Sequence, residues 1–495
     1  MKELGVGLVY FQGFEKFLVS HSSLIDVLEI EPQTFWYDKN DECDAFKYDT
    51  SVSDFLAAYE KPKLFHGVGY PIGGTILPPV AHFNTLREQA AQLNPQWISE
   101  HLSYNMFSDN RREVNAGFLL PPLQSKESVE LAANNIRYYR AQMNDRPFAF
   151  ETGVNYLKPR KNEIPDGLFT ARIAEEADCN ILLDLHNILA NQRNGRQSVK
   201  DFLASLPFER IVELHVGGGI YYNNYYLDAH SGPMDEELHR ILEDVVKRLP
   251  NLKALMFEIT PDYFKKVPEV EIRNQLVKMR RIWDKRGQDL KSQEPGVKNQ
   301  AEQISCRSNQ RFDETISVKE WERMLGRLIL NNNTDGPLAG ELVKDKGVDI
   351  IKDLVFNFRG SVLISALKLT TRLLRLTLGE ALFNRIVADF FYRVSPQLLP
   401  VVMVEQFAEY LKLNGISVHG MDKILEYEIA SIHTAIDKQT RVVSFGFDPF
   451  PVFSALQNAQ LPGMLSTGKT VNLHVVFDQP AKVSELINFT PVFHK

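Results

Sequence analysis

Short apolar runs alternate with longer amphipathic stretches through the first half of the chain. The runs are Gly5–Tyr10 (GVGLVY), Val27–Glu31 (VLEIE), Lys63–Gly69 (KLFHGVG), Trp97–Ser103 (WISEHLS), Phe148–Gly153 (FAFETG), Asn180–Asn187 (NILLDLHN), Ile211–Gly218 (IVELHVGG) and Ala254–Ile259 (ALMFEI). Their length and near-continuous hydrophobicity suit strands buried on both faces. The stretches between them carry a helical period: Lys126–Asn144 has Val129, Ala132, Ile136 and Tyr139 at helical spacing, and Leu168–Ala177 and Met234–Leu249 follow the same rule. Eight strands alternating with helices over about 260 residues predict an α/β fold, a (βα)8 TIM barrel. A doubly wound sheet has the same alternation. No GxGxxG or GxxxxGK(S/T) follows any strand, however, so a phosphate-binding loop has little support.

The pattern changes at Gln288. Gln288–Arg311 is polar, rich in Gln, Ser and Asn, and without an apolar period, as expected of a linker. The predicted organisation is a catalytic barrel over 1–287, a linker over 288–312 and a second domain over 313–495, each domain long enough for its own core. Within the second domain Lys319–Ile432 reads as helical, with Leu363, Leu367, Leu374 and Leu378 able to share a face. Arg441–Phe447 and Thr470–Asp478 read as strands, which makes the domain smaller, mostly helical and α+β.

Composition narrows the function classes. The chain has 495 residues and a net charge of −7, which argues against a nucleic-acid partner, since phosphate binding needs concentrated positive charge. Three widely spaced cysteines exclude a disulfide scaffold and a four-thiolate metal site supplied by one chain. The N-terminus lacks the features of a targeting signal, and the most apolar window, Leu363–Phe383, contains Lys368, Arg372, Arg375 and Glu380. The expectation is a cytoplasmic protein with no membrane span.

Polar residues gather where barrel strands should end: His66, Glu100, His101, Glu151, Asp184, His186, Glu213, His215, Asp228, His230 and Glu258. In a (βα)8 barrel those ends converge on one face, where catalytic groups sit. Asp184/His186, Glu213/His215 and Asp228/His230 are each two residues apart, so where the chain is extended each pair aims two donors one way. Mixed imidazole and carboxylate donors without thiolate suit iron, manganese or zinc. One catalytic ion uses about three protein ligands, so this many candidates point to two or three ions. Glu213 reads as an acceptor for a ligand imidazole as readily as a ligand itself. The tyrosines Tyr221, Tyr222, Tyr225 and Tyr226 precede Asp228 and read as a packed loop or a wall of the substrate pocket.

The ordered motifs HGVG, SEHLS, FETG, LLDLHN, ELHVGG, DAHSGP and FEI resemble those of the DUF692 family, the multinuclear non-haem iron-dependent oxidative enzymes, over about residues 4 to 285. The resemblance implies a barrel holding two or three irons (Fe2+/Fe3+), with O2 as co-substrate. It implies modification of a ribosomally made peptide, often at cysteine. By motif match, His66, Glu100, His101, Glu151, Asp184, His215, Asp228, His230 and Glu258 are the implied metal-site residues, with His186 a possible addition and Asn187 in a supporting place. Two positions depart from many members: Thr152 stands where Asn is common after the FETG glutamate, and His186 where Asn is common before Asn187. More weakly, Leu354–Pro396, with its NFRG, LGEALF and FYRVSP segments, resembles the helical region of DUF2063-type partner proteins. That implies a natural fusion in which the C-terminal domain recruits the precursor peptide by its leader, with Arg441–Asp478 offering a β edge.

Other function classes share these features. Divalent-metal TIM-barrel isomerases and hydrolases also place Glu, Asp and His at strand ends, and a non-enzymatic peptide-binding scaffold is a third reading. Dependence on O2 separates the first from the second, and a change in peptide mass separates both enzymes from the third.

Overall fold

The eight apolar runs form eight parallel strands: β1 (Gly5–Tyr10), β2 (Val27–Ile30), β3 (Lys63–Gly67), β4 (Ile98–His101), β5 (Phe148–Glu151), β6 (Asn180–Asp184), β7 (Ile211–Val216) and β8 (Ala254–Phe257). In this computed structural model each pairs with its neighbour in sequence, and β1 pairs with β8 to close the barrel. The described residues are 1–38, 46–161, 163–286, 316–396, 400–463 and 470–476; the segment read as a linker, 288–312, lies outside them.

The register decides which side chains meet. Inward positions on neighbouring strands stand opposite one another: His66 faces Ser99, His101 faces Glu151, and Asp184 faces His215. Below them Val9, Val27, Leu64, Trp97, Ala254 and Met256 form an apolar floor inside the barrel. Above them the strands end, and the backbone turns into loops that carry the remaining polar groups. The outer layer is helical. Helix Lys126–Gln142 starts where the Ser125 hydroxyl accepts from Ser128 N, and it buries Val129, Ala132, Ile136 and Tyr139.

Contacts divide the chain into two compact units. One comprises Met1–Phe35, Val52–Glu113 and Leu119–Ile351; the other comprises Trp36–Ser51, Val114–Phe118 and Lys352–Lys495. The first unit thus includes helix Val318–Asn331, beyond the linker segment. Gly326 lets this helix lie against the Phe107 ring, where a Cβ would be 2.5 Å from a ring carbon. Trp321 Nε1 donates to the Pro121 carbonyl (3.0 Å), and the buried Glu322 accepts from Thr75 N (2.8 Å) in the loop after β3.

The second unit is built mainly from helices Lys368–Leu378, Glu380–Arg393, Pro400–Leu413, Met421–Asp437 and Pro449–Gln457 with the last part of Lys346–Ala366. Leu363, Leu367, Leu374, Phe390, Phe407 and Phe445 are fully buried in its core. Strands Arg441–Phe445 and Val471–Val475 pair antiparallel. Glu428 accepts from Leu369 N (2.6 Å) and Thr370 N (2.9 Å), placing a buried anion on the N-terminus of helix Lys368–Leu378, where the helix dipole favours it. Among the described residues no helix is long and apolar enough to cross a membrane.

Candidate metal centre

Three acceptor atoms converge at the ends of β3, β4 and β5. His66 Nε2 and His101 Nε2 each lie 3.0 Å from Glu151 Oε2. The two imidazole nitrogens are 3.3 Å apart. Their far nitrogens settle where the protons are. His101 Nδ1 lies 3.0 Å from the Gly67 carbonyl, which can only accept, so Nδ1 carries the hydrogen. Ser99 Oγ donates to the Phe65 carbonyl (3.2 Å) and therefore accepts from His66 Nδ1 (2.8 Å). Both Nε2 atoms consequently present lone pairs towards a carboxylate oxygen. Burial holds both imidazoles below their usual pKa and so neutral. Three lone-pair atoms at this separation repel unless a proton on Glu151 or a metal ion lies among them, and one proton can serve only one of the two rings. An ion bound at about 2.1 Å places adjacent donors about 3.0–3.4 Å apart, octahedral to tetrahedral; the observed edges fit.

A second set hangs from β6, β7, β8 and the loop after β7. His230 Nε2 lies 3.4 Å from Asp184 Oδ2 and 3.3 Å from Glu258 Oε2. His230 Nδ1 is 3.1 Å from Asp228 Oδ1, and His215 Nδ1 is 3.2 Å from Glu258 Oε2. Asp184 closes β6 and caps the next helix, Leu185–Arg193, by accepting from Asn187 N (2.9 Å) with Oδ1, which leaves Oδ2 for the centre. At the barrel mouth three groups with mutually close donor atoms result: His66/His101/Glu151, Glu151/Asp184/His215 and Asp184/His230/Glu258. Glu151 and Asp184 each belong to two of them, so carboxylates link the groups.

Burial sets the electrostatics. It pushes the Glu151 carboxyl well above its usual range and Asp228 up to about 7. Burial opposes the charged form of Asp184 too, but the hydrogen bond and positive charge of His230 win and hold it well below the usual carboxylate range. His215 and His230 are raised despite burial because carboxylates surround them, chiefly Glu29 and Glu258 respectively. Such an array of buried acids calls for positive charge, from protons or from metal. Side-chain exposure rises from none at Asp184 to 29% at Asp228, so the centre opens to solvent on the Asp228 side.

Not every residue read from the sequence joins these groups. Glu100 precedes His101 and therefore takes the other face of β4, where Tyr139 OH donates to its Oε1 (2.9 Å) and burial lifts it to about 8. Gly67 makes room for it, since a Cβ there would sit 1.8 Å from Glu100 Oε1. His186 lies on the helix after β6 rather than on an extended segment, fully buried and 3.9 Å from Asp228 Oδ1. Asn187 Nδ2 donates to Glu151 Oε1 (3.1 Å), leaving its own buried Oδ1 without a partner among the described residues. Glu213 accepts from Trp97 Nε1 (2.7 Å). Glu29, on β2, was not singled out from the sequence, yet its Oε1 lies 2.9 Å from His215 Nε2. Glu31, pushed up to about 8 by burial and by the Glu258 charge, was likewise missed. A carboxylate inside a run buried on both faces was the available signal for Glu29.

Residues 4–276 match the family model of the RiPP precursor modification enzymes MbnB/TglH/ChrH, RiPPs being ribosomally synthesised and post-translationally modified peptides. The chain belongs to this family. Membership makes a peptide the implied substrate class. Among curated proteins it is similar to a UPF0276 protein of Chromobacterium violaceum, 27% identical over 240 residues that cover 48% of this chain and 85% of that one. A UPF0276 protein of Anaeromyxobacter sp. is 28% identical over 206 residues, covering 41% and 71%. Among solved structures, the 3-keto-D-glucoside 4-epimerase of E. coli aligns at 14% identity and a TM-score of 0.36, over 56% of this chain and all of that one. The D-psicose 3-epimerase of Clostridium cellulolyticum H10 aligns at 11% identity and a TM-score of 0.36, over 57% and 97%. These likenesses are too slight to carry substrate chemistry across.

Proposed function

We propose that the barrel is an iron-dependent, O2-using oxidase that modifies a residue, often cysteine, of a ribosomally made precursor peptide. The observation that carries the metal part is the convergence of His66 Nε2, His101 Nε2 and Glu151 Oε2, three lone-pair atoms within 3.3 Å of one another. The donors are nitrogen and oxygen without thiolate, which suits iron. When bound, iron supplies the electrons for reducing O2 and positions open to a substrate group.

The chain's own residues do the rest. Ser99 and Gly67 fix the His66 and His101 tautomers, so both rings meet an incoming ion without rearrangement. Asn187 holds Glu151 from behind. The hairpin Ile220–Leu227 leads into Asp228 and His230, and its Tyr221 is 65% exposed, an aromatic surface beside the open side of the centre. The Gly217–Gly219 run lets the backbone pass close to the site, since a Cβ at Gly217 would lie 2.5 Å from His230 Cδ2 and one at Gly219 2.5 Å from His186 Cε1. The C-terminal unit, as a DUF2063-like partner, captures the peptide leader and raises the effective concentration of its core at the barrel mouth.

The test uses the full chain with iron and the peptide encoded beside its gene, followed by mass spectrometry. An oxidase changes peptide mass only in the presence of O2. Equal conversion without O2 would move the protein to the isomerase or hydrolase class, and binding without any mass change to the scaffold class.

A further inference from the structure

We infer that Glu29, Glu213 and His215 form an additional divalent-cation site at the floor of the barrel, beneath the groups at its mouth. The inference rests on the metal-centre reading in one respect, since His215 serves both.

All three side chains are fully buried. His215 Nε2 lies 2.9 Å from Glu29 Oε1 and 3.8 Å from Glu213 Oε1. The short contact is not an aligned hydrogen bond. Among the described residues Glu29 Oε1 and Oε2, Glu213 Oε1 and His215 Nε2 all lack a hydrogen-bond partner. Four orphaned polar atoms in one enclosed spot are costly unless something satisfies them. Trp97 Nε1 holds only the far oxygen of Glu213, at 2.7 Å, and leaves Oε1 turned to His215.

Among the described residues a protonated His215 is the one side-chain cation that faces these two carboxylates. Glu29 stands opposite Leu64, and Glu213 opposite Ala254, both in the apolar floor. Among the described residues neither carboxylate has a lysine or arginine partner within salt-bridge distance. Two adjacent buried carboxylates without such a partner carry a penalty of several kcal/mol per ion, roughly. The donor separations bracket the edges of about 3.0–3.4 Å expected around an ion at about 2.1 Å. An oxygen, oxygen, nitrogen set without sulfur suits Mn2+, Fe2+ or Zn2+. The site has a consequence for the mouth. His215 Nδ1 faces Glu258 Oε2 at 3.2 Å, so an ion on Nε2 fixes the ring that Glu258 and its neighbours use from above.

Anomalous diffraction from the full wild-type chain, loaded anaerobically with Mn2+ and measured on both sides of the manganese edge, tests this directly. A peak between Glu29, Glu213 and His215, in addition to peaks at the mouth, is the expected result. A filled mouth above an empty floor overturns this inference and leaves the metal-centre reading intact; no peak anywhere in the barrel overturns both. In solution, Glu29→Gln should bind one equivalent of Mn2+ fewer than wild type. Unchanged stoichiometry in a variant that still melts cooperatively would refute the site.

Discussion

Replacing Glu151 by glutamine changes one atom at the point where the first group converges, and its effect has two opposite signs. Asn187 Nδ2 donates to Glu151 Oε1 at 3.1 Å. In Glu151→Gln that bond selects the amide oxygen for the Oε1 position and puts the NH2 where Oε2 was, 3.0 Å from both imidazole nitrogens. A donor then faces two lone pairs. Without metal, the amide NH2 donates to both rings where a carboxyl proton reaches only one, and satisfying a buried polar group is worth roughly 1–3 kcal/mol. The apo variant should therefore melt several degrees above apo wild type, at about 2–4 °C per kcal/mol for a domain of this size. With metal, the anionic donor is gone. Removing one partner of a buried charge pair costs about 3–5 kcal/mol, which at about 1.4 kcal/mol per decade is a loss of roughly 10²–10⁴ in affinity for the ion that Glu151 contacts. Calorimetric metal titration and thermal melts of chelated protein measure the two halves. Wild-type affinity in the variant, or an apo variant less stable than apo wild type, would refute the reasoning.

Other perturbations follow from the same geometry. Asp184→Ala and His215→Ala should each lower bound metal and abolish peptide modification while leaving a folded barrel, as read by metal analysis, circular dichroism and mass spectrometry; either variant with full metal and turnover would contradict the assignment. Burial raises Glu322 to about 7 against an unfolded value near 4.5. Its contribution is thus fully present below pH 4.5, declines as pH rises, and is lost above about 7, at no more than ~1.4 kcal/mol per pH unit. Glu322→Gln should therefore gain stability relative to wild type between pH 5 and 8 in denaturant titrations, and a constant difference would count against the shift. Phe390→Ala, fully buried in the core of the second unit, should cost about 3–5 kcal/mol there with barrel metal content unchanged, as measured by urea unfolding and metal analysis.

The barrel was legible because each strand is a short, mostly apolar run, and all eight runs become barrel strands. Period-two reasoning holds for Glu213 and His215, both on β7 and both turned inward. It does not extend to Asp184 and His186, because the chain turns helical immediately after Asp184, with that residue's own carboxylate as the cap. Glu100 and His101 are adjacent, and a strand sends adjacent residues to opposite faces; only His101 reaches the centre. Glu29 was missed because it lies within β2 rather than at a strand end, where the candidate ligands were sought, although an acid in a run buried on both faces was a signal. The Ser99 and Gly67 contacts that fix the imidazole tautomers depend on strand register, which a single sequence does not reveal.

Anaerobic reconstitution with ferrous iron, followed by metal analysis and Mössbauer spectroscopy, tests most directly whether the barrel is a multinuclear cage. The account predicts at least two irons per chain with signals of nitrogen and oxygen ligation, at least one of them lost in Glu151→Gln. A folded wild-type barrel that retains no iron, or whose iron content is indifferent to Glu151, would contradict it.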